Sequence, residues 1–81
     1  MLTYSFQDME GDSLYEYLYR RIRADILEGR IRAGERLPSK RSFAKNLGVS
    51  TVTVESAYAQ LAAEGYIRSV PRSGYYVSKI D

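Results

Sequence analysis

The residues of this sequence that could do chemistry are mainly hydroxyl-bearing and basic. Residues 39–41 read Ser-Lys-Arg, and residues 50–53 read Ser-Thr-Val-Thr. Hydroxyls and cations of this kind bind phosphate oxygens and base edges of nucleic acids. The candidate contact residues are Arg36, Ser39, Lys40, Arg41, Ser50, Thr51, Val52, Thr53, Glu55, Arg72, Ser73 and Gly74.

Several of these residues have a second interpretation that involves no ligand. Ser50 is first of all a helix cap, although a capping serine can also contact phosphate. Val52 suits either a thymine methyl group or the protein core, and Glu55 suits either a cytosine amine or the positive end of a helix dipole. Arg72 is either a phosphate contact or an exposed solubilising charge.

Positive charge is concentrated in the second half of the chain. The sequence holds 12 Lys and Arg against 10 Asp and Glu, a formal net charge of +2. The segment 36–45 carries Arg36, Lys40, Arg41 and Lys45 with no acid. A one-sided basic surface is typical of a protein that binds a polyanion, and the alternative is an ordinary solvated face.

Composition argues against several other classes. The chain has no Cys and no His, which removes thiolate metal sites and the commonest general base. Neither paired carboxylates nor a phosphate-binding glycine loop appears, so we expect neither catalysis nor a cofactor in this chain. No apolar run reaches the ~20 residues that span a bilayer, and no secretory leader is visible. We therefore expect a cytoplasmic protein without membrane contact.

A first helix is predicted after residue 12. Asp12 or Ser13 can cap it, Glu16 completes a capping box with Ser13, and Gly29 ends it. Its apolar stripe repeats every four residues through Leu14, Leu18, Ile22 and Ile26. The tyrosines expected to join the core are Tyr15, Tyr19, Tyr58 and Tyr66.

Two further helices are predicted close together. Pro38 keeps Leu37 extended, Ser39 caps the second helix, and Gly48 closes it. Ser50 caps the third helix, which Gly65 terminates. Their inward residues are Phe43, Ala44 and Leu47 on the second helix and Val54, Ala57, Tyr58 and Leu61 on the third.

The final segment changes to the pattern of a β-hairpin. β-Branched and aromatic residues flank the turn Pro71-Arg72-Ser73-Gly74. The fold class is therefore mainly α (α+β): a winged helix-turn-helix, made of a three-helix bundle and a C-terminal two-stranded β-wing. We assign residues 1–12 to an N-terminal arm docked through Tyr4 and Phe6, 13–78 to the domain, and 79–81 to the start of a linker.

This architecture predicts how the candidate residues are used. The third helix would lie in the major groove of duplex DNA, and the wing tip would contact the minor groove or the backbone. Lys40 and Arg41 begin the second helix, where cations oppose the helix dipole, so a bound phosphate would explain them. The alternative is a winged helix that binds a protein partner without specific DNA recognition.

The segment "LPSKRSFAKNLGVS" closely resembles the DNA-binding domain of GntR-family bacterial transcription regulators, and the likeness extends over about residues 13–78. The resemblance implies DNA contacts by Arg41, by Ser50 to Thr53 and Glu55, and by Arg72 to Gly74. Two positions depart from the family pattern. Thr51 stands where Arg or Lys is usual, and Glu55 stands where many members have a basic residue.

The segment "AYAQLAAEGY" resembles the MocR-like branch of that family, and the alternative is another GntR branch with a different effector domain. The resemblance implies a C-terminal domain beyond residue 81, similar to a fold-type-I aminotransferase and binding pyridoxal phosphate. It also implies a double-stranded DNA operator as partner and a homodimer in the full-length regulator. We expect the present chain by itself to be monomeric.

Overall fold

The computed structural model describes residues 13–79, and the predicted arm lies outside them. Three helices precede a two-stranded antiparallel sheet, in the predicted order. The elements are α1 (Leu14–Leu27), α2 (Lys40–Leu47), α3 (Thr51–Ala63), β1 (Ile67–Val70) and β2 (Gly74–Val77). The mainly α winged helix-turn-helix architecture is confirmed.

Each helix begins at a serine that caps it. The Oγ atoms of Ser13, Ser39 and Ser50 accept hydrogen bonds from the amide three residues on, at 3.3, 3.1 and 3.2 Å. These bonds satisfy first-turn N–H groups that have no partner inside the helix. All three serine caps predicted from the sequence are confirmed.

A tight turn joins α2 to α3. Gly48 has a φ of +73°, in the left-handed region that side chains disfavour. The amides of Gly48 and Val49 both donate to the carbonyl of Ala44, at 2.9 and 3.1 Å. The chain therefore reverses within two residues and reaches Ser50, which starts α3.

Tyr58, in the middle of α3, joins the other elements at the centre of the core. Its side chain is fully buried, and its hydroxyl donates to the carbonyl oxygen of Pro38 at 2.8 Å. Its ring lies 6.3 Å from that of Phe43 on α2 and 5.0 Å from that of Tyr75 on β2. The Tyr58 side chain thus fixes the positions of the start of α2 and of the wing relative to α3.

The core contains most of the residues predicted for it, with differences on α1 and among the tyrosines. Leu14 is 37% exposed, because burial on this helix begins only at Tyr17, which the four-residue pattern did not include. Tyr15 and Tyr66 are only partly buried, whereas Tyr19 and Tyr58 are buried as predicted. The other fully buried side chains include Leu18, Ile22, Phe43, Val54, Leu61, Ile67 and Val77.

Asp25 on α1 is a buried acid. It is 7% exposed, and its Oδ1 accepts a hydrogen bond from Nε of Arg30 at 2.7 Å. The backbone amides of Arg30 and Ile31 both donate to its carbonyl, at 2.9 and 3.1 Å. Asp25 therefore holds the chain where it leaves α1.

The wing is attached to the connector between α1 and α2. Strand β1 pairs with β2 from Ile67 opposite Val77 to Val70 opposite Gly74. On the other side of β2, the Leu37 amide donates to the Tyr75 carbonyl at 2.8 Å. The extended piece predicted before Pro38 therefore pairs with β2 through an isolated bridge between Arg36 and Tyr76.

Candidate nucleic-acid interface

The first turn of α3 points into solvent. Ser50, Thr51 and Val52 are exposed and Thr53 is partly buried. Val52 is 67% exposed, which rules out its alternative assignment to the core. Residues 51–63 include no Lys or Arg, so this tip presents hydroxyls, the methyl groups of Val52 and the threonines, and the Glu55 carboxylate.

Positive charge reaches the tip from α2. Lys40 and Arg41 occupy the first turn of α2, directly after the capping Ser39. Arg41 is exposed, and Lys45 in the last turn is exposed as well. No acid lies in that first turn, so the cations add to the positive end of the helix dipole. The cations and the positive end of the helix dipole together attract anions to this surface.

Lys40 forms an ion pair with Glu55 across the two helices. Its Nζ donates to Glu55 Oε2 at 3.2 Å and lies 5.7 Å from the centre of the Tyr75 ring. The hydrogen bond to Glu55, followed by the neighbouring Tyr75, raises the pKa of Lys40 above its ordinary value. The side chain of Lys40 is 31% exposed and that of Glu55 is 58% exposed, so solvent reaches both.

The wing tip presents Arg72 in an unusual backbone conformation. The Ser73 amide donates to the Val70 carbonyl at 3.0 Å, which closes a turn over Pro71 and Arg72. Pro at the second position and a positive φ at the third are the marks of a type II turn. Arg72 has a φ of +65° and is the non-glycine residue with positive φ in the described chain. Its side chain is exposed at the tip.

Because Gly74 has no side chain, another group can lie close to its backbone, and that group is the Arg36 side chain of the same protein. A Cβ on Gly74 would lie 3.1 Å from Nε of Arg36, and the φ of +134° is also one that favours glycine. The Arg36 side chain therefore packs against the wing beside Gly74. A contact between Gly74 and DNA stays a prediction.

Two other wing residues contact the Tyr76 side chain. Ser73 Oγ forms a short hydrogen bond with the Tyr76 hydroxyl, so Ser73 is engaged within the wing. The guanidinium of Arg68 on β1 lies 5.7 Å from the Tyr76 ring centre. Arg68 thereby adds a cation to the wing that was not among the candidate contacts.

The structure brings the predicted residues together in two groups. Lys40 at the start of α2 meets Glu55 just beyond the first turn of α3, and Arg36 meets the wing at Gly74. Tyr75 was missed: only its strand position was visible in the sequence, and its contact with Lys40 depends on how the wing packs. The roles of these residues in binding DNA remain predictions.

Neither a metal-holding cluster nor a membrane-spanning helix is found within residues 13–79. No group of three or more acidic residues is arranged to hold a metal ion there. No helix in that part of the chain has the length and apolar character needed to cross a membrane.

A helix-turn-helix with an exposed polar tip, followed by a paired hairpin, defines the class of winged-helix DNA-binding domains. The family model described as "Bacterial regulatory proteins, gntR family" matches residues 14–77. The chain therefore belongs to the GntR family of bacterial regulators, as its motifs indicated.

Individual relatives agree with this assignment. The chain is 53% identical over 68 residues to the uncharacterized HTH-type transcriptional regulator YdeL of Bacillus subtilis, a match over 84% of the chain. It is 43% identical over 74 residues, 90% of its length, to the probable rhizopine catabolism regulatory protein MocR of Rhizobium meliloti, so MocR-like proteins are among its relatives. The chain spans about 15% of the length of each.

A solved structure of similar fold contains DNA. The AraR DNA-binding domain in complex with operator ORX1 superposes with a TM-score of 0.79 at 23% identity. The match covers 95% of this chain and 93% of that one. The likeness supports the winged-helix fold.

Proposed function

We propose that this chain reads an operator by placing the first turn of α3 in the major groove. In this arrangement Thr51, Val52 and Glu55 face base edges, and Ser50 and Thr53 face the groove wall. Arg36, Lys40 and Arg41 contact the sugar–phosphate backbone. The wing tip, with Arg72 foremost, lies on the minor groove or the adjacent backbone.

One observation carries this proposal: the exposed start of α3 lies beside the basic start of α2. The 3.2 Å contact between Lys40 and Glu55 joins the two helix starts. A duplex seated on the α3 tip would therefore bring its phosphates to Lys40 and Arg41. The same phosphates would meet the capped, positive end of α2.

Arg41 offers a direct test of this arrangement. Arg41→Ala should weaken operator binding by ~1–3 kcal/mol and leave the free energy of unfolding almost unchanged, because the side chain is exposed. Operators are first obtained by selecting bound duplexes from a random pool, and affinities are then measured by titration. Arg32→Ala removes the same charge outside the proposed interface and should bind normally.

The selection also tests the function itself. Enrichment of a defined sequence supports operator recognition. Binding no tighter than to random duplex at low salt would contradict it and would favour the protein-interaction alternative.

For the whole protein we propose a cytoplasmic transcription regulator that acts through this domain by binding and not by catalysis. The named functions of YdeL and MocR as regulators support this. We propose that residues 13–78 form the DNA-binding domain and that a linker starts at residue 79. Pyridoxal phosphate would then be bound by a separate C-terminal domain, which would also supply the contacts of a homodimer.

A further inference from the structure

Lys40 holds the one acidic side chain of the α3 tip in a defined place. Glu55 follows the first turn of α3, and its Oε2 accepts a hydrogen bond from Lys40 Nζ at 3.2 Å. Lys40 in turn lies over the Tyr75 ring, which packs edge-on against the buried Tyr58 at 5.0 Å. The ammonium is thus placed between α3 and the wing strand.

A carboxylate in the major groove restricts which bases can lie opposite it. It accepts hydrogen bonds and donates none, so guanine N7 and O6 and thymine O4 are repelled. The amino groups of cytosine and adenine are the donors available there, and cytosine N4 is the usual partner of Glu. An unpaired carboxylate would also be repelled by the phosphates on both sides of the groove. The Lys40 ammonium offsets that repulsion.

On the basis of the proposed function, we propose that Lys40 and Glu55 form one unit that recognises cytosine. Glu55 accepts from the cytosine amine through the oxygen that Lys40 leaves free. Lys40 is a positioning residue that orients and neutralises the carboxylate. Lys40 therefore sets base preference at one operator position, in addition to attracting phosphate.

Two substitutions separate the parts of this unit. Glu55→Gln should shift the preference at one position from cytosine towards adenine, because an amide both donates and accepts and suits adenine N6 and N7. Lys40→Gln should lower the preference for cytosine at that same position by about tenfold while Glu55 is retained. Both are read by selection from a random duplex pool and by titration of duplexes that differ at that base pair.

Lys45→Gln is the matched control for Lys40. It removes the same charge from the exposed last turn of the same helix, where no ion pair with Glu55 exists. This variant should keep the wild-type base preference even if it weakens binding to all duplexes. Thermal unfolding of each variant checks that the fold is retained.

Two results would overturn the proposal. If Lys40→Gln weakens every duplex equally and cytosine preference persists, Lys40 is only a phosphate contact. If Glu55→Gln leaves the selected sequence unchanged, Glu55 does not read a base. Both results presuppose that the wild-type chain selects a sequence; if it selects none, the proposed function itself fails and this unit fails with it.

Discussion

At the scale of one residue, Arg72 holds a strained backbone conformation at the wing tip. Its φ of +65° is a conformation that glycine or asparagine normally occupies at this position of a type II turn. A side chain held there costs on the order of 1 kcal/mol or more. The guanidinium has no hydrogen-bond or ion-pair partner within the described residues, so an external contact would explain the arginine.

Arg72→Gly should therefore separate folding from binding. The free energy of unfolding should stay the same or rise by up to about 1 kcal/mol, because strain is relieved and the greater freedom of glycine in the unfolded chain offsets part of the gain. DNA affinity should fall, and its salt dependence should become shallower by about one released counterion. Urea unfolding and titration at several salt concentrations measure the two effects.

Arg72→Lys is the companion variant, since it keeps both the charge and the strain. It should retain most of the affinity. Equal binding by the glycine variant and the wild type would show that the wing tip does not contact DNA.

At the scale of elements, two of the serines that cap helices, Ser39 and Ser50, are also candidate contact residues. Ser50 Oγ accepts from the Thr53 amide and lies 2.9 Å from Thr53 Oγ1. A capping hydroxyl that faces a phosphate serves the helix and the ligand at once. Substitutions at Ser50 can distinguish the two roles.

Ser50→Ala should lower the free energy of unfolding by about 1 kcal/mol, because the Thr53 amide loses its acceptor. Ser50→Asp keeps a capping oxygen and should preserve stability. It should nevertheless weaken DNA binding strongly, since its charge would face phosphate. Thermal unfolding and duplex titration together test both variants, and normal DNA binding by Ser50→Asp would place Ser50 outside the interface.

The packing of α1 against the end of α3 should depend on pH. The Tyr19 hydroxyl donates a short hydrogen bond to Glu64 Oε1 and itself accepts from Arg23 Nη1 at 3.0 Å. The hydrogen bond from Tyr19 lowers the pKa of Glu64 below its ordinary value of 4.5. The stabilisation is therefore present above about pH 4.5 and is lost as the pH falls through the lower pKa of the folded state.

Glu64→Gln should flatten the dependence of melting temperature on pH between neutral and acidic conditions. Tyr19→Phe should flatten it similarly, because it removes the donor and leaves the carboxylate. Melting curves recorded from pH 7 to pH 3 measure this dependence. A slope unchanged in both variants would show that this bond does not couple stability to pH.

At the scale of the whole molecule, binding should be driven by the distribution of charge and not by its total. The net charge of the chain is only +2, yet four cations of the proposed interface, Arg36, Lys40, Arg41 and Arg72, lie on α2, on the segment before it and at the wing tip. Binding that neutralises phosphates releases condensed counterions. Affinity should therefore depend steeply on salt despite the small net charge.

If these four cations each neutralise one phosphate, log K should fall with log salt concentration with a slope of about −3 to −4. Fluorescence titration against an operator duplex between low and physiological salt gives the slope. A slope near zero would contradict phosphate binding by this surface and would indicate another kind of partner.

The sequence by itself determined the elements and their order. The serine caps at residues 13, 39 and 50, the turn glycine at 48 and the hairpin turn at 71–74 act through bonds within about four residues, so each is readable locally. The basic segment 36–45 and the family motif were equally visible in the sequence. Leu14 belongs to the four-residue apolar repeat and is nevertheless exposed, because the repeat does not show at which residue the helix begins to pack against the rest of the protein.

Only the tertiary structure decided which distant side chains meet. Lys40 and Glu55 are 15 residues apart on different helices, and no spacing rule links them. The approach of Arg36 to Gly74 and the exposure of Val52 likewise depend on how the wing and helices pack. Such contacts are set by the angles and distances between elements, which the buried Tyr58 helps to hold and which local sequence does not encode.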